Sequence, residues 1–263
     1  QSSIETMSEP ALHEQIRRVA DDAKRAARQL AKASSDQKNR ALHAMAQALK
    51  TKRQEILQAN ATDVEAARRG KLSSALIDRL ILNDKRLDEM IASIEAVMQL
   101  PDPVGEVIRM WRRPNGLLVG KVRVPIGVIG IIYESRPNVT SECASLCLKS
   151  GNAVILRGGQ EAFLSNRAIA TALQEAVGRL CLPKAAISVI PTPDRIGVDL
   201  MLQQDQSIDV IIPRGGEALI RKVIETSRIP VIKHAKGVCH VYVDETADLA
   251  MAETIAFNAK CQR

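Results

Sequence analysis

From residue 125 onward, short and largely apolar runs alternate with longer segments of helical periodicity, and this alternation is the strongest constraint on the fold. Strands that are apolar throughout are typical of a parallel sheet whose two faces are both covered by helices. The sequence therefore predicts an α/β fold with a doubly wound parallel sheet. The predicted strands are 128–133, 153–156, 187–190, 210–212 and 239–243, and the predicted helices are 141–149, 161–180, 194–204, 216–227 and 246–260.

The N-terminal region has the pattern of amphipathic helices. Between residues 9 and 100, apolar residues recur three and four positions apart among charged and amide side chains. Helix breaks are predicted at 34–36, at Gly70 and at 83–84. Pro101 ends the helical pattern, because proline lacks the amide proton that a helix needs.

A β-hairpin is predicted between the helices and the sheet. Segments 107–112 and 117–124 have strand character, and Pro114, Asn115 and Gly116 between them form a turn signal. A projecting two-stranded hairpin cannot bury itself, so it needs another sheet from this chain or from a partner. The predicted division is a helical part at 1–105, the hairpin at 106–124 and the sheet domain at 125–263.

The net charge of +7 has two interpretations, attraction of an anionic ligand or a nucleic-acid surface. The basic residues are interleaved with acidic ones along most of the chain, which favours solvated helix faces. Aromatic residues make up only 2% of the sequence, so the stacking platforms of single-strand binders are missing. We therefore expect an anionic ligand and no nucleic-acid partner.

The cysteines and histidines do not form a metal motif. The cysteine count is five, an odd number, and the spacing is not a zinc pattern. Cys143 and Cys147 lie four positions apart in an apolar helical stretch, which predicts buried free thiols. Cys239 and His240 are adjacent in a predicted strand and would point to opposite faces. The longest apolar run, 124–133, is too short to span a bilayer and no signal peptide opens the chain, so we expect a cytoplasmic protein without a membrane partner.

Three polar segments directly follow predicted strands, at 134–138, 157–160 and 213–217. Ligands of parallel sheets bind beyond the carboxyl ends of the strands, so these segments are candidate ligand contacts. The paired glycines let a ligand approach the backbone, and the amides that open the helix at 216 can hold phosphate oxygens. The candidate cofactor-binding residues are Ser135, Arg136, Pro137, Asn138, Arg157, Gly158, Gly159, Arg214, Gly215 and Gly216.

Each segment also has an ordinary interpretation. Segment 134–138 is equally typical of a turn with a helix cap, and a single Arg-Gly-Gly could be a plain turn. Two such tripeptides, each after a predicted buried strand, favour ligand binding.

The segments also match a known family. The sequence resembles γ-glutamyl phosphate reductases of the aldehyde dehydrogenase superfamily over essentially the whole chain. The resemblance implies an aldehyde dehydrogenase-like fold, with N-terminal helices and a hairpin of the oligomerisation type. The segments that carry it are LPDPVG at 100–105, VRVPIGVIG at 122–130, YESRPNVT at 133–140, GNAVILRGG at 151–159, IPRGG at 212–216 and GVCHVYVD at 237–244.

The resemblance implies a specific reaction. Enzymes of this family reduce L-glutamyl 5-phosphate to glutamate 5-semialdehyde with NADPH and release phosphate, in proline biosynthesis, and a homo-oligomer is implied. The nucleophilic cysteine of the family is expected a few residues beyond Arg263, and the catalytic domain beyond it. We therefore expect the chain alone to lack reductase activity and assign no catalytic residue. An acyl-CoA-dependent relative is the alternative enzyme.

Departures from the wider superfamily have consequences for the cofactor. Arg157 and Gln160 stand where many relatives carry a Lys and a Glu near the adenosine ribose. A carboxylate would repel a 2′-phosphate, whereas Gln160 does not and Arg157 could pair with it, so NADPH is expected. Ser135 stands where hydrolytic relatives have an oxyanion-stabilising Asn, which leaves Asn138 or a backbone amide for that role.

Overall fold

A computed structural model of the protein describes residues 9–233 and 239–261. The chain divides into a first unit, 1–232, and a second unit, 233–263. The first unit contains the helices, the hairpin and the sheet. The second unit contains a single described helix, α10 (Leu249–Cys261), and none of its residues is buried.

The N-terminal part of the first unit forms helices, as the sequence predicts. The Ser34 hydroxyl accepts from the Gln37 amide, and the Gln37 side chain accepts from the Ser34 amide, so a reciprocal capping box starts the second helix. Asn83 caps the fifth helix in the simpler way. The predicted breaks are confirmed. The helices are α1 (Glu9–Leu30), α2 (Ser35–Thr51), α3 (Arg53–Arg69), α4 (Ser74–Leu80) and α5 (Asp84–Gln99).

The hairpin is confirmed, with a shorter second strand than predicted. Strands β1 (Val107–Arg112) and β2 (Leu118–Val122) pair antiparallel. Gly116 in the turn has a φ of +88°, a left-handed conformation that favours glycine. The hairpin leaves apolar side chains exposed, including Val107, Ile108, Met110, Leu118 and Val122.

The sheet has four parallel strands, β3 (Val128–Tyr133), β4 (Ala153–Arg157), β5 (Ile187–Val189) and β6 (Val210–Arg214). Their spatial order is β5-β4-β3-β6. Strand β3 comes first in the chain, the next two strands lie on one side of it, and β6 lies on its other side. The helices of this part are α6 (Asn138–Lys149), α7 (Phe163–Gly178), α8 (Ile196–Met201) and α9 (Glu217–Thr226).

The predicted fifth strand at 239–243 is wrong. These residues form no strand, and Cys239, His240 and Tyr242 are exposed. An apolar run becomes a strand only where a neighbouring strand supplies hydrogen bonds and a core supplies burial, and the described part of the second unit supplies neither.

Both faces of the sheet are covered, which confirms the doubly wound architecture. Ile129, Ile131 and Tyr133 of β3 pack with α2, α5, α6 and α7 on one face. Val128 and Ile132 pack with α1, α8 and α9 on the other face. Each fully buried aliphatic side chain stabilises the fold by about 1.5–3 kcal/mol. No helix in the described ranges is long and apolar enough to cross a membrane.

Candidate functional site

The carboxyl ends of the four parallel strands bring four loops to one edge of the sheet. The three segments predicted from the sequence follow β3, β4 and β6, so the topology brings them to the same edge. A fourth loop, 190–195 after β5, joins them beside β4. No sequence signal marks this loop, because it lacks the Arg-Gly-Gly of segments 157–160 and 213–217.

Ser135 occupies a strained turn directly after β3. Its φ is +31°, which is unusual for a residue with a side chain, and only 5% of its surface is exposed. The Ser135 amide donates to Glu161 Oε1 at 2.8 Å, and the Ser135 hydroxyl donates to the same oxygen. The serine hydroxyl is therefore engaged with a carboxylate, which leaves the oxyanion role open to other groups.

Glu161 lies between the loops that follow β3 and β4. A Cβ atom on Gly159 would lie 2.1 Å from Glu161 Oε1, so the glycine gives the carboxylate its space. Glu161 was not among the residues predicted from the sequence. Its position directly after segment 157–160 was the only sign that it belongs to the site.

Arg157 is buried at the end of β4, with 8% of its surface exposed. Its Nη1 donates to the Gly158 carbonyl at 2.7 Å, and its Nη2 donates to the carbonyls of Pro193 at 2.9 Å and Asp194 at 3.1 Å. Its Nε has no partner among the described residues. Burial lowers the pKa of Arg157. The guanidinium therefore fastens the loop after β5 to the end of β4, and its pairing with a phosphate remains a prediction.

A buried polar network lies beneath Gly158. The hydroxyls of Tyr133 and Thr140 are 2.7 Å apart, and the Thr140 hydroxyl donates to Asn166 Oδ1 at 3.0 Å. Burial raises the pKa of Tyr133, so its hydroxyl stays protonated. A Cβ atom on Gly158 would lie 2.0 Å from Asn166 Nδ2. Glycine is thus required here for packing, apart from any ligand.

A carboxylate holds the start of α9. The Gly216 amide donates to Glu134 Oε2 at 3.1 Å, and a Cβ atom on Gly215 would lie 2.7 Å from the Glu134 carboxyl carbon. One of the amides at this helix start therefore already has a partner, a side chain of the chain itself, and phosphate binding there remains a prediction. Glu134 is exposed, so an anionic ligand could displace it.

Three other arginines at this edge remain exposed. Arg136 follows β3, Arg195 follows β5 and Arg214 ends β6. None of the three side chains makes a hydrogen bond or an ion pair within the described ranges. Pro137 precedes α6, and Asn138 Nδ2 donates to Glu142 Oε1 at 2.8 Å. The edge therefore offers three arginine side chains to an anionic ligand, beside the exposed carboxylates of Glu134 and Asp194.

The cysteines of α6 lie away from solvent. Cys147 is buried, and burial raises its pKa. Cys143 is half-buried, and burial raises its pKa to about 12. A nucleophilic cysteine needs its thiolate form, which burial disfavours. The expectation of a buried free thiol is confirmed for Cys147, whereas Cys143 is half-buried, and neither residue suits a catalytic role.

Comparisons with known proteins give relatives along almost the whole chain. A protein named γ-glutamyl phosphate reductase from Geotalea daltonii is 57% identical over 250 residues, which are 95% of this chain and 60% of that protein. The crystal structure of γ-glutamyl phosphate reductase from Thermotoga maritima superimposes with a TM-score of 0.88 at 46% identity, over 94% of this chain and 60% of that one.

The Saccharomyces cerevisiae structure of the same name gives a TM-score of 0.77 at 35% identity, over 97% of this chain and 63% of that one. The chain spans about 60% of the length of the curated relatives that it matches. The family model described as "Aldehyde dehydrogenase family" matches residues 3–262. With this match and with the doubly wound sheet described above, the chain belongs to the aldehyde dehydrogenase family.

Proposed function

We propose that the chain is the dinucleotide-binding part of a γ-glutamyl phosphate reductase, which reduces L-glutamyl 5-phosphate to L-glutamate 5-semialdehyde in proline biosynthesis. The observation that carries this proposal is the 57% identity, over 95% of the chain, to a relative of that name. Because the chain covers 60% of that relative, the activity is proposed for the whole protein.

Members of the aldehyde dehydrogenase family use nicotinamide dinucleotides, and we propose NADPH for this protein. The strand order reverses between β3 and β6, and dinucleotides bind at such switch points. Two observations fit a bound dinucleotide. The start of α9 already accommodates a carboxylate, which has the charge sign of a pyrophosphate, and the buried Arg157 Nε lacks an acceptor. The exposed arginines at this edge favour the more anionic NADPH over NADH.

Bound NADPH would supply hydride to the carbonyl carbon of a thioester formed by a cysteine outside this chain. The loops at the carboxyl edge would hold the dinucleotide and keep its orientation fixed. Cys143 and Cys147 would remain protonated and structural. We further propose a cytoplasmic homo-oligomer in which the exposed hairpin pairs with another copy, since its apolar side chains otherwise face water.

The test uses the full-length protein with glutamate 5-semialdehyde and NADP⁺, in the reverse direction. We expect NADPH formation that requires inorganic phosphate, because phosphate must cleave the thioester to regenerate the acyl phosphate. Turnover that requires coenzyme A and ignores phosphate would favour the acyl-CoA-dependent alternative. Tight DNA binding at physiological salt, with no turnover under either condition, would indicate the nucleic-acid interpretation instead.

A further inference from the structure

We propose that Arg195 binds the 2′-phosphate of the dinucleotide and that Arg157 is a positioning residue that holds the Arg195 loop in place. This inference rests on the proposed function, because it concerns recognition of NADPH at the same site. It assigns cofactor selectivity to the loop after β5.

The fold places the loop that carries Arg195 beside the end of β4. Strand β5 pairs with β4, so loop 190–195 lies beside the end of β4. Arg157 Nη2 bonds to the carbonyls of Pro193 and Asp194, the two residues that directly precede Arg195. The backbone that carries Arg195 is thus tied to the end of β4. In dinucleotide-binding folds, a residue about 20 positions after the first strand-to-helix turn contacts the adenosine ribose, which is the spacing from the turn after β3 to Arg157. A fixed backbone lowers the entropy lost when a flexible side chain engages a ligand.

Of Arg157 and Arg195, only Arg195 has a guanidinium that is available to bind a phosphate. Arg157 already donates to three carbonyl oxygens, and it would have to give up these bonds to pair with a phosphate. Arg195 is exposed, and its side chain makes no hydrogen bond or ion pair with any described residue. The neighbouring Asp194 carboxylate contacts the Thr192 hydroxyl at 3.4 Å rather than Arg195. Arg195 can therefore form a bidentate pair with a phosphate without losing protein contacts.

A bound 2′-phosphoribose would relieve two unfavourable features of the free protein. The Arg157 Nε is buried without an acceptor, and an unsatisfied buried donor destabilises the fold. A ribose oxygen against Arg157 would supply that acceptor. Arg157 and Arg195 also repel each other, since the charge of Arg195 disfavours the charged form of Arg157. A phosphate near both arginines would attract each guanidinium and so offset this repulsion.

The remaining exposed arginines fit this role less well. Arg136 follows β3, and Arg214 ends β6, which is separated from β4 by β3 in the sheet. Both lie on the side of the switch point, where the pyrophosphate is proposed to bind. In the loops that follow β4 and β5, 157–160 and 190–195, Arg195 is the exposed arginine.

The experiment compares Arg195→Ala, Arg195→Lys and wild-type full-length protein. Dissociation constants for NADPH and NADH are measured by calorimetry, and 2′,5′-ADP and 5′-AMP are used as competitors that differ only in the 2′-phosphate. We expect Arg195→Ala to weaken NADPH and 2′,5′-ADP binding by roughly 10- to 100-fold, with NADH and 5′-AMP unchanged. Arg195→Lys should retain part of the selectivity, because it keeps the charge but loses the bidentate geometry.

Arg228→Ala is the matched control, because Arg228 is also an exposed arginine but follows α9 at the opposite edge of the sheet. It should leave all four affinities unchanged. An unchanged ratio of NADPH to NADH affinity in Arg195→Ala, with wild type binding NADPH, would overturn this inference and leave the proposed function intact. A wild-type protein that binds neither dinucleotide would overturn both.

Discussion

One oxygen of the Glu161 carboxylate accepts hydrogen bonds from both the amide and the hydroxyl of Ser135, 26 positions earlier in the chain. This double contact holds a turn with a positive φ at the end of the central strand. A non-glycine residue keeps such a conformation only where its surroundings enforce it. The geometry of loop 134–138 therefore depends on a side chain from the loop after β4.

We predict that Glu161→Ala loosens this turn. The variant leaves the buried Ser135 without its acceptor, so unfolding free energy in urea should fall by about 1–3 kcal/mol. Dinucleotide affinity should fall as well, for NADPH and NADH alike, since the turn follows the central strand. Glu161→Gln retains an acceptor oxygen and should recover most of both losses. Equal behaviour of the Ala and Gln variants would show that the contact does not support the turn.

We predict that Glu134→Ala strengthens dinucleotide binding. In the free protein the Glu134 carboxylate occupies the α9 start, so a pyrophosphate must displace it. A charge at a helix N-terminus contributes about 0.3–1 kcal/mol, so NADPH affinity should rise roughly two- to fivefold. Glu225→Ala, which removes an exposed carboxylate near the other end of α9, is the control and should show no gain. Weaker binding in Glu134→Ala would mean that the carboxylate contacts the ligand favourably.

We predict that Arg157→Ala lowers the affinity for NADPH more than the affinity for NADH. The guanidinium ties loop 190–195 to β4 through two carbonyls, so its loss should disorder the backbone that carries Arg195 and weaken binding of the 2′-phosphate. Titration of each cofactor against the variant gives the two factors directly. A selective loss of NADPH that Arg195→Ala does not share would instead place the 2′-phosphate on Arg157 itself, as the sequence suggests.

We predict that Gly158→Ala destabilises the fold by about 1–3 kcal/mol. The added methyl group would overlap Asn166 and press on the Tyr133 ring, and overpacking of a buried site has costs of this size. Gly216→Ala is the matched control, because nothing lies within 4 Å of a Cβ atom placed there. Urea denaturation of the two variants is the measurement, and equal midpoints would contradict the prediction.

The strands that could be predicted from the sequence are those whose neighbours lie in the same unit. Segment 128–133 is apolar throughout and is buried on both faces, so its apolar pattern was sufficient to predict the strand. Segment 239–243 is also apolar but is exposed, because apolar composition does not specify which neighbour will cover a strand. The junction between α2 and α3 at Lys52 was missed, since no Gly or Pro marks it.

The candidate site was predictable in its location but not in its contacts. Strand ends and glycine pairs gave three of the four loops, because parallel topology places them at one edge. The roles of Arg157 and Glu134 depend on partners 36 and 82 positions away, at Pro193 and Gly216. Periodicity and local motifs report only on neighbours along the chain, so they could not show that these two side chains already have partners.

The strand order has a consequence for synthesis on the ribosome. Strand β3 pairs with β6 through Ile129 and Val210, so 81 residues must be added after Ile129 before that edge can close. At about 5–20 residues per second, the edge stays open for about 4–16 s during translation. The other edge of β3 meets β4 far sooner, through Val128 and Ala153. A nascent chain stalled before residue 210 would expose an unpaired apolar strand, which is the form that aggregates or recruits chaperones.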